Sequence, residues 1–245
     1  MADFRTMRAN AGVRTAAIDE GLRTHMNKVY ATMSVGTLLT FIVAWAFGTS
    51  DALFSILRDP RTLQPNILGW IVMFAPLGMV FFFGAALNRL SAAGAQLYFY
   101  AYAAVMGLSM SWIFMAFTGV SIAQVFLITS IAFAGLSLVG YTTKKDLSGM
   151  GSFLVMGVIG LLVAMIVNMF LQSPAIAYAV SILGVLIFAG LTAYDTQKIK
   201  NDYIQHAYAM DQEWLGKAAI MGALNLYLDF INMFMFLLQL FGNRE

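Results

Sequence analysis

Gly151-Ser152-Phe153-Leu154-Val155-Met156-Gly157-Val158-Ile159-Gly160-Leu161-Leu162-Val163-Ala164-Met165-Ile166-Val167-Asn168-Met169-Phe170-Leu171 passes through residues 151–171 without a charged side chain. About 20 consecutive apolar residues in a helix cross the ~30 Å hydrocarbon core of a bilayer. An isolated strand would leave its backbone N–H and C=O groups unsatisfied in lipid, and this run is twice the length of a barrel strand, so it predicts a transmembrane helix.

Six further runs surround it, at residues 29–48, 67–87, 92–117, 121–141, 174–194 and 218–241. The predicted fold class is therefore an all-α integral membrane protein, a bundle of seven transmembrane helices. The chain divides into an N-terminal tail (1–28), a seven-helix transmembrane domain (29–242) and a short C-terminal tail (243–245). The leader is too long and too mixed for the start of a signal peptide. Most connections are short, which predicts antiparallel neighbours; the longer ones fall at 49–66 and 195–217. Composition agrees, with 60% hydrophobic and 11% charged residues against about half and about a quarter in a soluble domain. The mean hydropathy is +0.78. Cysteine is absent, which excludes disulfides and thiolate metal sites, and a net charge of +2 gives no reason to expect nucleic acid.

Orientation follows from Lys and Arg, which concentrate on the cytoplasmic side. With the N terminus inside, the inner segments hold Arg5, Arg8, Arg14, Arg23, Lys28, Arg89, Lys144, Lys145, Lys198, Lys200 and Lys217. The outer ones hold Arg58, Arg61 and Arg244. The N terminus is expected in the cytoplasm and the C terminus outside.

Charged side chains within the spans are the candidate functional residues. Asp229 lies in the last run, about 18 Å along the helix from Lys217. A carboxylate at that depth costs a few kcal/mol and must be protonated, paired or hydrated. Asn225 and Asn232, four and three residues away, form a polar stripe with it that should turn inward and make the last helix central. Asp195 closes the sixth run, either as an interfacial carboxylate paired with Lys198 or as a group in need of another partner, because a helix C-terminus disfavours negative charge. Arg89 ends the second run on the same side. It is either a topological anchor or a bidentate partner for a carboxylate.

Catalytic alternatives are weak. Gly107-Leu108-Ser109-Met110 has the Gly-x-Ser form of intramembrane serine proteases, but His25 and His206 both lie outside the runs. Two aspartates on successive helices also suggest an intramembrane aspartyl protease, whose Gly-x-Gly-Asp pattern is replaced here by Leu226-Tyr227-Leu228-Asp229. The chain is not expected to be an enzyme.

The segments Ala193-Tyr194-Asp195-Thr196-Gln197-Lys198, Leu226-Tyr227-Leu228-Asp229-Phe230-Ile231-Asn232 and Gly140-Tyr141-Thr142-Thr143-Lys144-Lys145-Asp146-Leu147 together resemble the Bax inhibitor-one family, in its bacterial type. The resemblance runs from about Lys28 to Phe241. It implies a last helix surrounded by the other six and a proton-regulated calcium leak. It further implies that Asp195 and Asp229 form the pH sensor and ion pathway, with Arg89 at the inner end of span two. Two carboxyls brought together at low dielectric cannot easily both ionise, so they would act as one coupled unit. Calcium prefers oxygen ligands, and a transient calcium contact at Asp195 and Asp229 would suit a permeant ion. No cofactor is expected; the expected partners are the lipid bilayer, calcium and protons. The expected location is a bacterial inner membrane. The alternative is a non-conducting regulator that binds another membrane protein, such as a membrane protease. Helical rise separates the two aspartates in depth by ~6 to 10 Å, a gap that tilt or a deeper Asp195 would have to close.

Overall fold

The computed structural model describes residues 2–207, 209 and 211–244, with side chains from Ile18 onward. The side chains of Arg5, Arg8 and Arg14 lie outside the described residues. The described elements are helices: α1 (Ala2–Thr49), α2 (Asp51–Leu57), α3 (Ile67–Arg89), α4 (Ala92–Met110), α5 (Ile113–Ala116), α6 (Gly119–Thr142), α7 (Ser148–Leu171), α8 (Pro174–His206) and α9 (Gln212–Phe241). Seven segments are long and apolar enough to cross a membrane: Ile18–Thr49, Ile67–Arg89, Ala92–Ala116, Gly119–Thr142, Ser148–Leu171, Pro174–His206 and Gln212–Phe241. Each contains one of the seven apolar runs apart from a terminal residue of the third.

Short polar residues start most of these helices. Side chains of Asn66, Ser91, Thr118, Ser173 and Asp211 accept from backbone N–H groups in the first turns of α3, α4, α6, α8 and α9, satisfying donors that a helix start leaves free. A capped start needs no residue spent in lipid.

Two expectations are corrected. The connection at 195–217 is mostly helical, because α8 continues to His206 and α9 begins at Gln212. Polar turns outside the hydrocarbon are satisfied by their own i→i−4 bonds, so helix length exceeds the length of the apolar run. Asp195 consequently sits about 16 Å before the end of α8, clear of the helix C-terminus that was expected to oppose its charge.

The core is built around α9. Seventy-two percent of its most apolar stretch is buried, against 11% for α7. Its principal neighbours are α8, α1, α6 and α4, while α3 packs on α4 and α7 on α8 at the periphery. The expectation of six helices around the last is thus realised mainly by four. Phe153 and Phe170 on α7 are 72% and 77% exposed, as befits a surface in contact with lipid tails rather than water.

Candidate functional site: a carboxyl seam between two central helices

The α8–α9 interface has a register that can be read from its close contacts. On α9, Gly222, Asp229 and Phe236 are seven residues apart and share one face. Gly222 packs against Ile199, and Phe236 lies over Gly184 and beside Phe188. Gly184, Phe188, Thr192, Asp195 and Ile199 form the matching stripe of α8 at spacings of three and four. Asp229 therefore lies opposite the Thr192–Asp195 turn. The same register brings the two residues to within roughly 5 Å of each other along the helix axes. That offset is somewhat smaller than the ~6 to 10 Å expected from helical rise.

Asp229 is 3% exposed, and its Oδ2 has no hydrogen-bond partner among the described residues. An unsatisfied buried acceptor costs about 1–3 kcal/mol, so the carboxyl is held where packing alone would not put it. Asn225 and Asn232 are half-buried, and Asn232 donates to the Leu228 carbonyl of its own helix (2.8 Å). The α9 stripe does turn inward, but that amide bond spends itself on backbone. Asp195 is also half-buried.

Arg89 is exposed in the last turn of α3. Among the described residues it forms no ion pair with either aspartate; the ion pair found there is Glu213–Lys217 at 3.7 Å. Lys198 is exposed and likewise unpaired with Asp195. Glu213 also accepts from the Ala92 N–H, tying the start of α9 to that of α4.

On both sides of Asp195, α8 is fastened to its neighbours. Gln197 accepts from the Leu147 N–H and donates to the Lys145 carbonyl, both at 2.8 Å. Lys200 donates to the Tyr141 carbonyl (2.7 Å) with its ammonium over that ring. Thr196 shares a hydroxyl contact with Ser137 (3.0 Å), which in turn meets the Tyr30 hydroxyl. Gly140 lies directly against the Ala193 carbonyl, and Gly151 against the Tyr194 ring, where a Cβ would collide in either case. The segments 140–147 and 193–198 are thus one structural unit. Sequence reasoning marked both segments but missed the roles of Gln197, Lys200, Ser137 and Tyr30; the signal was the joint presence of the two segments.

Seven long apolar helices around a buried carboxyl define a multi-pass helical membrane protein. A model of the family described as "Inhibitor of apoptosis-promoting Bax1" matches residues 22–245. The chain is 46% identical over 225 residues to the inner membrane protein YbhL of Escherichia coli, covering 92% of this chain and 94% of the relative. It is 41% identical over 233 residues to a protein of Rickettsia prowazekii, with 95% and 94% covered. The protein YrjE of Lactococcus lactis is 38% identical over 227 residues, with 91% and 92% covered. The chain belongs to the Bax inhibitor-1 family of membrane proteins.

Proposed function

We propose that this protein is a pH-regulated cation leak pathway, with calcium the favoured ion and Asp195 and Asp229 as its coupled proton sensor. The observation that carries the reading is the orphaned, buried Oδ2 of Asp229 on the same helix seam as Asp195. A carboxyl without a partner in the interior of a membrane bundle is costly and marks a path for protons or ions. When deprotonated, the pair offers the oxygen ligands that calcium prefers. Protonation removes the charge that attracts the cation, so a single chemical event changes both the ligands and the packing of α8 against α9. Arg89 contributes a cationic charge at the inner mouth, and Gln197 and Lys200 carry any shift of α8 to the 143–147 connection.

The proposed orientation puts the N terminus in the cytoplasm, because Lys144, Lys145, Lys198, Lys200 and Lys217 share one side of the bundle. The name of the Escherichia coli relative supports the inner membrane as the location. A reporter fused beyond Glu245 should then read extracytoplasmic and one inserted at Asp211 cytoplasmic; the same reading at both would overturn the orientation.

Purified protein reconstituted alone into liposomes tests the function. Calcium entry that responds to pH is expected. A pure regulator of another membrane protein gives no flux, and that result would move the regulatory reading ahead.

A further inference from the structure

A second feature of the bundle is separate from the carboxyl seam. Between α1 and α6 runs a groove of about 1060 Å³. Phe133 and Phe230 line its floor, and the exposed Leu38 and Leu138 lie along its sides, so it opens towards the surrounding lipid. Half of its polar lining side chains are already hydrogen-bonded within the protein. Tyr30 meets Ser137, Thr37 donates to the Met33 carbonyl and Ser130 to the Phe126 carbonyl. To an occupant, the body of the groove is mostly hydrocarbon, with the Ser34 hydroxyl exposed on its α1 wall.

Its two ends differ. One end carries Arg23 and Asn27, both exposed, and among the described residues no carboxylate pairs with Arg23. At the other, Phe41 packs on Phe126 with ring centroids 6.0 Å apart. The lining runs from Arg23 to Phe41 on α1 and from Tyr141 to Ala123 on α6, ~27 Å on each wall at 1.5 Å per residue. A mostly apolar groove that is open to lipid along its length, and that carries at one mouth an amide and a guanidinium unpaired among the described residues, has the charge complementarity of a site for an acidic lipid.

We propose that this groove binds one acidic phospholipid from the leaflet on the side of Arg23, an acyl chain lying between α1 and α6 and the phosphate meeting Arg23 and Asn27. Arginine suits the role because its planar fork gives two donors to one phosphate. The apolar walls supply affinity, and Arg23 supplies the preference for negative charge.

Native mass spectrometry of the delipidated full chain, titrated with phosphatidylglycerol or phosphatidylethanolamine, tests the proposal. The wild type should retain one phosphatidylglycerol in preference to phosphatidylethanolamine. Arg23→Gln should weaken phosphatidylglycerol binding ~5-fold, the order expected for one basic residue facing an acidic leaflet, and leave phosphatidylethanolamine unchanged. Ser34→Trp, which fills the groove from α1, should abolish retention of both. Ala134→Trp fills it from α6 and repeats the test should the first variant fail to fold. Phosphatidylglycerol binding that survives Arg23→Gln intact, or that persists in both tryptophan variants, would overturn the proposal. So would a dimer that forms with the wild type and dissociates on filling the groove, since the occupant would then be a second copy.

Discussion

α7 and α9 are both long enough to cross a membrane, yet they solve opposite problems. α7 has no charge in its apolar run and is the more exposed, with Phe153, Met156 and Phe170 facing outward. α9 carries Asp229 with Asn225 and Asn232 and is the most buried of the seven. In water the more apolar helix would be the core. In lipid the order reverses, because tails accept an apolar surface without cost while a polar side chain must find the protein interior. Burial in this molecule therefore follows polarity, and the helix least suited to lipid is the one the others enclose.

The largest effect should come from giving α7 what α9 already carries. Ile159→Asp puts a carboxylate near the middle of α7 on an exposed position, at a cost of about 3 kcal/mol on the insertion scale. A glycosylation or reporter insertion assay should show reduced integration. Normal integration would mean that α7 is not lipid-facing.

The reverse exchange on α9 should stabilise. Asp229→Leu removes an orphaned buried acceptor, so thermal unfolding in detergent should shift upward by the equivalent of ~1 to 3 kcal/mol, while the pH response of flux is lost. That outcome would be a trade of stability against function. A destabilised leucine variant would imply a partner for the carboxyl within the fold.

A smaller effect separates two glycines of α6. Gly140→Ala would force a Cβ into the Ala193 carbonyl and part α6 from α8, costing roughly 1 kcal/mol or somewhat more. Gly135 has open space around its Cβ direction, and Gly135→Ala should be close to neutral. Equal unfolding temperatures for the two variants would show that the α6–α8 crossing is looser than described.

The same contrast explains what could be read in the sequence. The seven spans were legible because hydrocarbon thickness imposes a length that a local stretch either meets or does not. The central position of α9 followed from Asp229, whose polarity has one economical solution in lipid. The continuation of α8 to His206 was not legible, since polar helical turns outside the membrane leave no apolar run to detect. Nor was the clamp of Gln197 on Lys145 and Leu147, which joins residues some fifty positions apart. Pairings across separate helices depend on register, and register here became visible only through the contacts of Gly222 with Ile199 and of Phe236 with Gly184.

The central claim is that Asp195 and Asp229 act as one unit across the α8–α9 seam. Calcium entry into protein-only liposomes, measured from about pH 5 to pH 8, the range in which interacting buried carboxyls titrate, tests it most directly. Wild type, Asp195→Asn, Asp229→Asn and the double variant are compared. For a shared unit, either single substitution should flatten the pH profile, and the double variant should add little, because the interaction has already gone. Single variants that keep the wild-type profile, or whose effects simply add in the double, would contradict the account.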